Sequence, residues 1–169
     1  MFKLLLLDVD GVLTDGTKTY VSNHEVMSKK FNDRDFTAIK RFKAAGIIVA
    51  VISADPWNKG MAKTRKLDFW DVKEHAPNLD KSKLLPHICE YYLVDPKQIC
   101  YVGDDFWDCT LLHDVGFKFC PLDAAWETKR IVGENNVILR NGGSGVVDSL
   151  YEWVKVNYNI QETYPDDNA

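Results

Sequence analysis

The sequence predicts an α/β fold, a Rossmann-like three-layer sandwich around a mostly parallel sheet. Apolar runs and amphipathic stretches alternate along almost the whole chain, the pattern of strands feeding crossover helices. The run Ile47-Ile48-Val49-Ala50-Val51-Ile52 is apolar without a break, as a strand covered on both faces requires. At 169 residues the chain has the length of one ordinary domain, enough to bury a core without metal or disulfide staples.

The first strand is predicted over residues 3–9, where Leu4-Leu5-Leu6-Leu7 leads into Asp8. Its apolar run stops at Asp8 and Asp10, too early for the core of a signal peptide or a spanning helix. Residues 17–21 and 25–31 read as a protruding hairpin around Ser22-Asn23-His24. A helix over 35–45 ends at Gly46, where a C-terminal cap is expected. The alternation continues with strand 47–53, helix 56–66, strand 69–72, helix 81–92, strand 98–103, helix 107–115 and strand 117–120. A short strand at 137–139 and a helix over 145–158 close the fold. These elements give one domain over residues 1–160, with no segment long enough to be a separate cap. The polar stretch 161–169, with Pro165, reads as a loosely ordered tail.

Composition narrows the function. Twenty-one basic and 25 acidic residues give a net charge of −4, against nucleic acid as the main partner, since phosphate backbones demand a basic surface. A small anionic substrate needs only a few local cations and stays compatible. Cys89, Cys100, Cys109 and Cys120 form no CxxC pair and have no histidine at zinc spacing, so they read as reduced structural thiols. His24, His75, His87 and His113 have no metal-site spacing either. With no targeting or membrane segment in view, the expected location is the cytoplasm.

The chemistry-bearing residues sit at predicted carboxyl ends of strands, where open parallel sheets bind ligands. Asp8 and Asp10 lie two apart, so on an extended strand they share a face. They either cap a turn with Gly11 or meet a cation that offsets the cost of burying two carboxylates together. Gly103-Asp104-Asp105-Phe106-Trp107-Asp108 repeats the acidic pattern at a second junction. A helix N-cap and a first-turn acid would use only one or two of its aspartates. Two such clusters suit an oxygen-rich site for a hard divalent ion, magnesium above all. Ser53 ends the strand 47–53, as a helix N-cap or as a hydroxyl for a phosphate oxygen. Lys81 opens a helix, where a cation opposes the macrodipole unless an anion meets it; Lys83 competes for that role. The aromatics Phe106, Trp107 and Trp70 read as core or interface, with no basic stripe to make them a base-stacking platform.

In this order the four elements resemble the haloacid dehalogenase superfamily of phosphotransferases. Asp8 to Gly16 (Asp-Val-Asp-Gly-Val-Leu-Thr-Asp-Gly), Lys30-Phe31-Asn32, Arg34-Asp35 and Asn141-Gly-Gly-Ser-Gly145 are similar to its small capless branch. That branch contains phosphatases of 3-deoxy-D-manno-octulosonate 8-phosphate and of nine-carbon sugar-acid 9-phosphates. The resemblance implies a magnesium-dependent phosphohydrolase of a small sugar phosphate, a 2-keto-3-deoxy sugar acid phosphate. It points to lipopolysaccharide or sialic-acid-type biosynthesis.

By the same resemblance Asp8 would be the nucleophile, and Asp10 the acid and base. Asp8, the Asp10 backbone carbonyl and Asp104 would hold magnesium, while Asp108 would support the metal shell or orient Lys81. Ser53 and Lys81 would bind the phosphoryl oxygens. Asp33, Arg34, Asp35 and Phe36 lie where the branch contacts substrate, and Lys63 replaces an arginine that would meet a substrate carboxylate. Ser53-Ala54-Asp55-Pro56-Trp57 departs from the Thr-Gly-Arg or Thr-Gly-Glu pattern usual there. The hairpin implies a ring-like homotetramer in which a neighbouring subunit helps close each site. The competing readings are a phosphatase or phosphomutase for another small phosphate ester, and a non-catalytic assembly module on the same fold.

Overall fold

The structure, a computed structural model, describes residues 1–160 apart from His24. The predicted tail and the histidine of the hairpin turn lie outside the described residues. Six strands form one parallel sheet in the order β5-β4-β1-β6-β7-β8. They are β1 (Leu4–Asp8), β4 (Ile48–Ser53), β5 (Asp68–Asp71), β6 (Ile99–Val102), β7 (Phe117–Pro121) and β8 (Val137–Ile138). β2 (Thr19–Tyr20) and β3 (Val26–Ser28) make a separate antiparallel hairpin with an irregular register. The predicted α/β sandwich is the observed architecture.

β1 is central, and every one of its residues is buried. Its side chains alternate between two cores, as the period of a strand demands. Leu5 and Leu7 pack with Phe36, Phe42, Leu150 and Tyr151 of helices α1 (Asp33–Ala44) and α7 (Val146–Tyr158). Leu4 and Leu6 pack with Ile88, Leu111 and Leu112 of helices α4 (Leu85–Tyr92) and α5 (Cys109–Asp114). Asp8 continues the Leu4–Leu6 side, so the strand period directs its carboxylate toward the α4–α5 layer. The three remaining helices are α2 (Asn58–Thr64), α3 (Val72–His75) and α6 (Trp126–Val132).

Several predicted boundaries move. Helix α1 begins at Asp33 because the Asn32 side chain caps it by accepting from the Arg34 N–H. The predicted helix 81–92 divides into a 3-10 turn over Lys81–Leu84 and α4, which carries Pro86 in its first turn, where its missing N–H costs nothing. Likewise, Phe106–Asp108 is a 3-10 turn ahead of α5. The paired hairpin strands are shorter than predicted, and Lys29 lies just beyond them. Helix α6 was not predicted. It spans seven residues and buries only Thr128 and Val132, too little for a readable period.

Two long-range contacts shape the loop after β1. Asp35 is buried, and its Oδ1 accepts the N–H groups of Val147 and Asp148 at 2.8 and 3.1 Å. It thus caps α7, whose own N-cap is Gly145. Just ahead of that helix, Gly142 lies so close to the loop after β1 that a Cβ would stand 2.1 Å from the Gly11 carbonyl oxygen. The Gly143 N–H donates to the Val12 carbonyl at 2.9 Å. Replacing Asp35 with alanine is expected to cost about 1–3 kcal/mol, measured by denaturant unfolding, because it strands two buried N–H donors.

Candidate active site

The sheet order sets β4, β1 and β6 side by side, so their carboxyl ends bring Ser53, Asp8 and the Gly103–Asp108 turn together. A cavity of about 520 Å³ opens there. Asp8, Asp10, Ser53, Lys81, Asp104 and Asp108 all line it. The hairpin contributes Val26, and Lys18 on its approach lines the cavity as well.

Lys81 is the hub of the inner end. It is 5% exposed, and its Nζ donates to Asp8 Oδ1 at 2.7 Å, to Asp108 Oδ1 and to the Tyr101 hydroxyl at 3.2 Å. Lys83 is exposed and does not line the cavity, so geometry favours Lys81 of the two. Tyr101 donates to the same Asp108 oxygen. Asp108 Oδ2 accepts the N–H groups of Asp104 and Asp105 at 2.8 and 2.9 Å. Both oxygens of Asp108 are therefore engaged in holding the lysine and the acidic turn. Gly103 leaves room for that carboxylate, since a Cβ there would stand 2.6 Å from it.

Electrostatics set these acids apart. Burial, with the charges of Asp108 and Asp10, pushes Asp8 up to about 7 despite Lys81. Burial and the neighbouring Asp8 and Asp108 push Asp104 up to about 9. Burial would raise Asp108 too, but Lys81 and the Asp105 N–H hold it below the usual carboxylate range. Burial alone would lower Lys81, yet Asp108 and Asp8 keep it charged and raise it.

Asp8, Asp104 and Asp108 each place a carboxylate oxygen within 4.8 Å of the others. Asp104 Oδ1 is buried and has no hydrogen-bond partner. An orphaned carboxylate oxygen amid crowded acids fits a hard divalent cation, which supplies the missing charge and ligand. Gly11 makes room for this arrangement. With φ at +88° it takes a backbone conformation that side chains avoid, and a Cβ would fall 1.9 Å from Asp104 Oδ2.

Asp10 faces different partners. β1 ends at Asp8, so Asp10 lies in the following turn, and Lys29 rather than Lys81 is its cation. Lys29 Nζ donates to its Oδ1 and Oδ2 at 2.6 and 2.8 Å. Asn58 Nδ2 donates to Asp10 Oδ2 at 3.0 Å and to Ser53 Oγ at 2.9 Å. Ser53 Oγ also accepts the Asp55 N–H at 3.0 Å. Ser53 thus caps the turn after β4 rather than a helix, since Trp57 is the N-cap of α2, and it lines the cavity.

None of the five expected substrate contacts lines this cavity, and Phe36 is a core residue. Asp33, Arg34 and Lys63 are exposed and absent from its lining. Asp33 is in the first turn of α1 and bridges to Arg65 at 3.4 Å, beside a second cavity with Phe31, Trp57 and Met61. Lys63 occupies the last turn of α2, away from the strand ends. Asp35, also placed there by the resemblance, is buried as the cap of α7. Lys29, Asn58, Tyr101 and Lys18 were missed. Lys29 and Lys18 look like ordinary strand-flanking lysines, and Tyr101 is one apolar residue of a strand.

A buried lysine among aspartates at the carboxyl end of a parallel sheet, with a serine hydroxyl on the next strand, is the working end of a haloacid dehalogenase-type phosphatase. Such a protein is a phosphoric monoester hydrolase. No family model matches the chain. It is 30% identical over 152 residues to the 3-deoxy-D-manno-octulosonate 8-phosphate phosphatase KdsC of Haemophilus influenzae, covering 90% of this chain and 82% of that protein. The chain belongs to this KdsC-type phosphatase family. The Escherichia coli K12 KdsC is 31% identical over 122 residues, 72% of this chain and 63% of its own.

Solved structures agree. The cobalt-bound deoxy-D-mannose-octulosonate 8-phosphate phosphatase of H. influenzae superposes with a TM-score of 0.82 at 28% identity, covering 94% of this chain and 90% of that one. The 3-deoxy-D-manno-octulosonate 8-phosphate phosphatase of Yersinia pestis gives 0.81 at 25%, covering 94% and 83%. No helix among the described residues is long and apolar enough to cross a membrane.

The raised acids fix how metal and protons compete. An unfolded aspartate titrates near 4, whereas Asp8 and Asp104 in the metal-free fold reach about 7 and about 9. Between those values the folded chain holds protons the unfolded chain has lost. Metal-free stability is therefore expected to fall as pH rises from about 4 towards 9. Metal binding at pH 7 is expected to release protons, read by calorimetry in buffers of different ionisation enthalpy. Gly11→Ala is expected to weaken metal binding about 10–100-fold by displacing Asp104.

Proposed function

We propose that the protein removes phosphate from a small sugar phosphate, a 2-keto-3-deoxy sugar acid phosphate, through an aspartyl-phosphate on Asp8. The observation that carries this is the hydrogen bond from buried Lys81 to Asp8 Oδ1, with Asp108 behind it. The relatives named for 3-deoxy-D-manno-octulosonate 8-phosphate support the substrate class.

In this mechanism the Asp8 carboxylate forms a P–O bond as the ester P–O bond breaks. The proton on Asp10 passes to the departing sugar oxygen. Asp10, now a carboxylate, then takes a proton from the water that attacks the phosphorus and frees phosphate and Asp8. Lys81 and Ser53 hold phosphoryl oxygens while charge shifts in a loose transition state. Asp8, Asp104 and the Asp10 carbonyl would hold magnesium, which offsets the charge of the phosphoryl group when bound. Asp108 keeps Lys81 charged and aimed.

Turnover is expected to vanish in Asp8→Asn with the fold intact, since an amide is no phosphoryl acceptor; a phosphate-release assay with circular dichroism checks both. Asp10→Asn should lose about 10²-fold or more. Normal turnover by Asp8→Asn would remove the mechanism. Exhaustive chelation is expected to abolish activity, and magnesium to restore it. Calcium should restore little, because its larger, looser shell draws extra oxygens and ties up both of those on Asp8.

The same reading places the protein in a homotetramer closed by the hairpins. Tyr20, Val21 and Met27 are 56%, 38% and 62% exposed, apolar surface that a lone two-stranded hairpin leaves uncovered. Polar replacement of Val21 and Met27 is expected to dissociate the assembly in sedimentation and to lower sugar-phosphate turnover together. A fully active monomer would dismiss the tetramer.

A further inference from the structure

Lys29 follows the hairpin strand β3 directly, and its side chain has no exposed surface. Lysine is almost never buried so completely unless it is paired, because an ammonium gives up its hydration on burial. Here the pairing is dense. Nζ meets both oxygens of Asp10, Asp55 Oδ2 at 2.9 Å and Asn58 Oδ1 at 2.9 Å, and lies 5.4 Å from the centre of the Trp57 ring.

A counter-charge alone does not account for this arrangement. Asp55 would supply one, and Lys18 already pairs with that same oxygen at 2.8 Å. What Lys29 adds is orientation. By spanning the two oxygens of Asp10 it fixes the plane of that carboxyl group. By donating to Asn58 Oδ1 it fixes which way the amide faces, so that Nδ2 points to Asp10 and Ser53. Both oxygens of Asp10 and both polar ends of the Asn58 amide have partners, the condition under which a buried network rigidifies a site.

We propose that Lys29 is a positioning residue that sets the Asp10 carboxyl for proton transfer to the leaving oxygen and, through Asn58, sets the Ser53 hydroxyl. This rests on the phosphatase reading above. Since Lys29 is continuous with β3, the seating of the hairpin and the aim of Asp10 are one structural variable.

The test compares two esters on the full, magnesium-loaded protein. p-Nitrophenolate leaves without a proton, whereas a sugar alkoxide needs one from Asp10. Lys29→Met is expected to lower kcat/KM, which reports phosphoryl transfer to Asp8 before the hydrolysis step shared by both esters, at least about tenfold more on a sugar phosphate than on p-nitrophenyl phosphate. Asp10→Asn supplies the reference for such a selective loss. Equal losses on both esters, or no loss, would overturn the proposal and leave Lys29 a structural anchor.

Should Lys29→Met fail to fold by circular dichroism, Lys29→Gln is read instead. It keeps an N–H donor without the charge, and a smaller shift of the same sign is expected. If the native protein hydrolyses neither ester, the phosphatase reading fails and takes this inference with it. Native turnover of both with an unchanged ratio in the variants removes the role of Lys29 alone.

Discussion

The inner end of the site depends on one imbalance. Three carboxylates, those of Asp8, Asp104 and Asp108, crowd together, and the buried ammonium of Lys81 pairs with only two of them, Asp8 and Asp108. Water cannot screen them, so their mutual repulsion must be met by protons or by a cation. Asp108 escapes because Lys81, Tyr101 and two backbone N–H groups saturate it. Asp8 and Asp104 are left to answer for the excess, and an ion with two charges answers it for both. The aspartates are thus unequal by construction: one is committed to structure, and two remain available to a metal and to chemistry.

A second cation divides the labour further. Lys29 serves Asp10 while Lys81 serves Asp8, one following the hairpin and the other in the turn before α4. Two aspartates only two residues apart therefore experience different surroundings. That separation is what two different roles demand, and a shared cation would not provide it. Asn58 and Ser53 join the Asp10 side, so the Ser53 hydroxyl and the Asp10 carboxyl are held in one frame.

Much of this was legible in the sequence because it depends on local period. Six strands and their order of appearance follow from apolar runs, and Asp8 and Asp104 declare themselves by standing where those runs end. The pairing of Lys81 with Asp8 joins residues 73 apart, which spacing alone cannot reveal. The order of the motifs implied only that Lys81 belongs to the same site, as a phosphoryl contact oriented by Asp108. What stayed hidden has two physical causes. Lys29 and Asn58 owe their roles to tertiary contacts 19 and 48 residues from Asp10, and their local sequence resembles any solvated segment. The resemblance put Asp33 and Arg34 at the substrate, yet the phase of α1, capped at Asn32, turns them outward and gives the core to Asp35 and Phe36, while Lys63 stands exposed in the last turn of α2.

The glycine pair ahead of α7 carries a consequence for how the protein is made. Gly142 and Gly143 press against the backbone of Gly11 to Asp15, and Asp35 holds the helix that follows them. Every acid of the site has left the ribosome by Asp108, yet the loop that bears Asp10 and receives Asp104 is still missing one of its walls. During synthesis the chain therefore passes through a stage with every acid of the site and no finished site, and the native arrangement of those carboxylates forms only when the last helix docks.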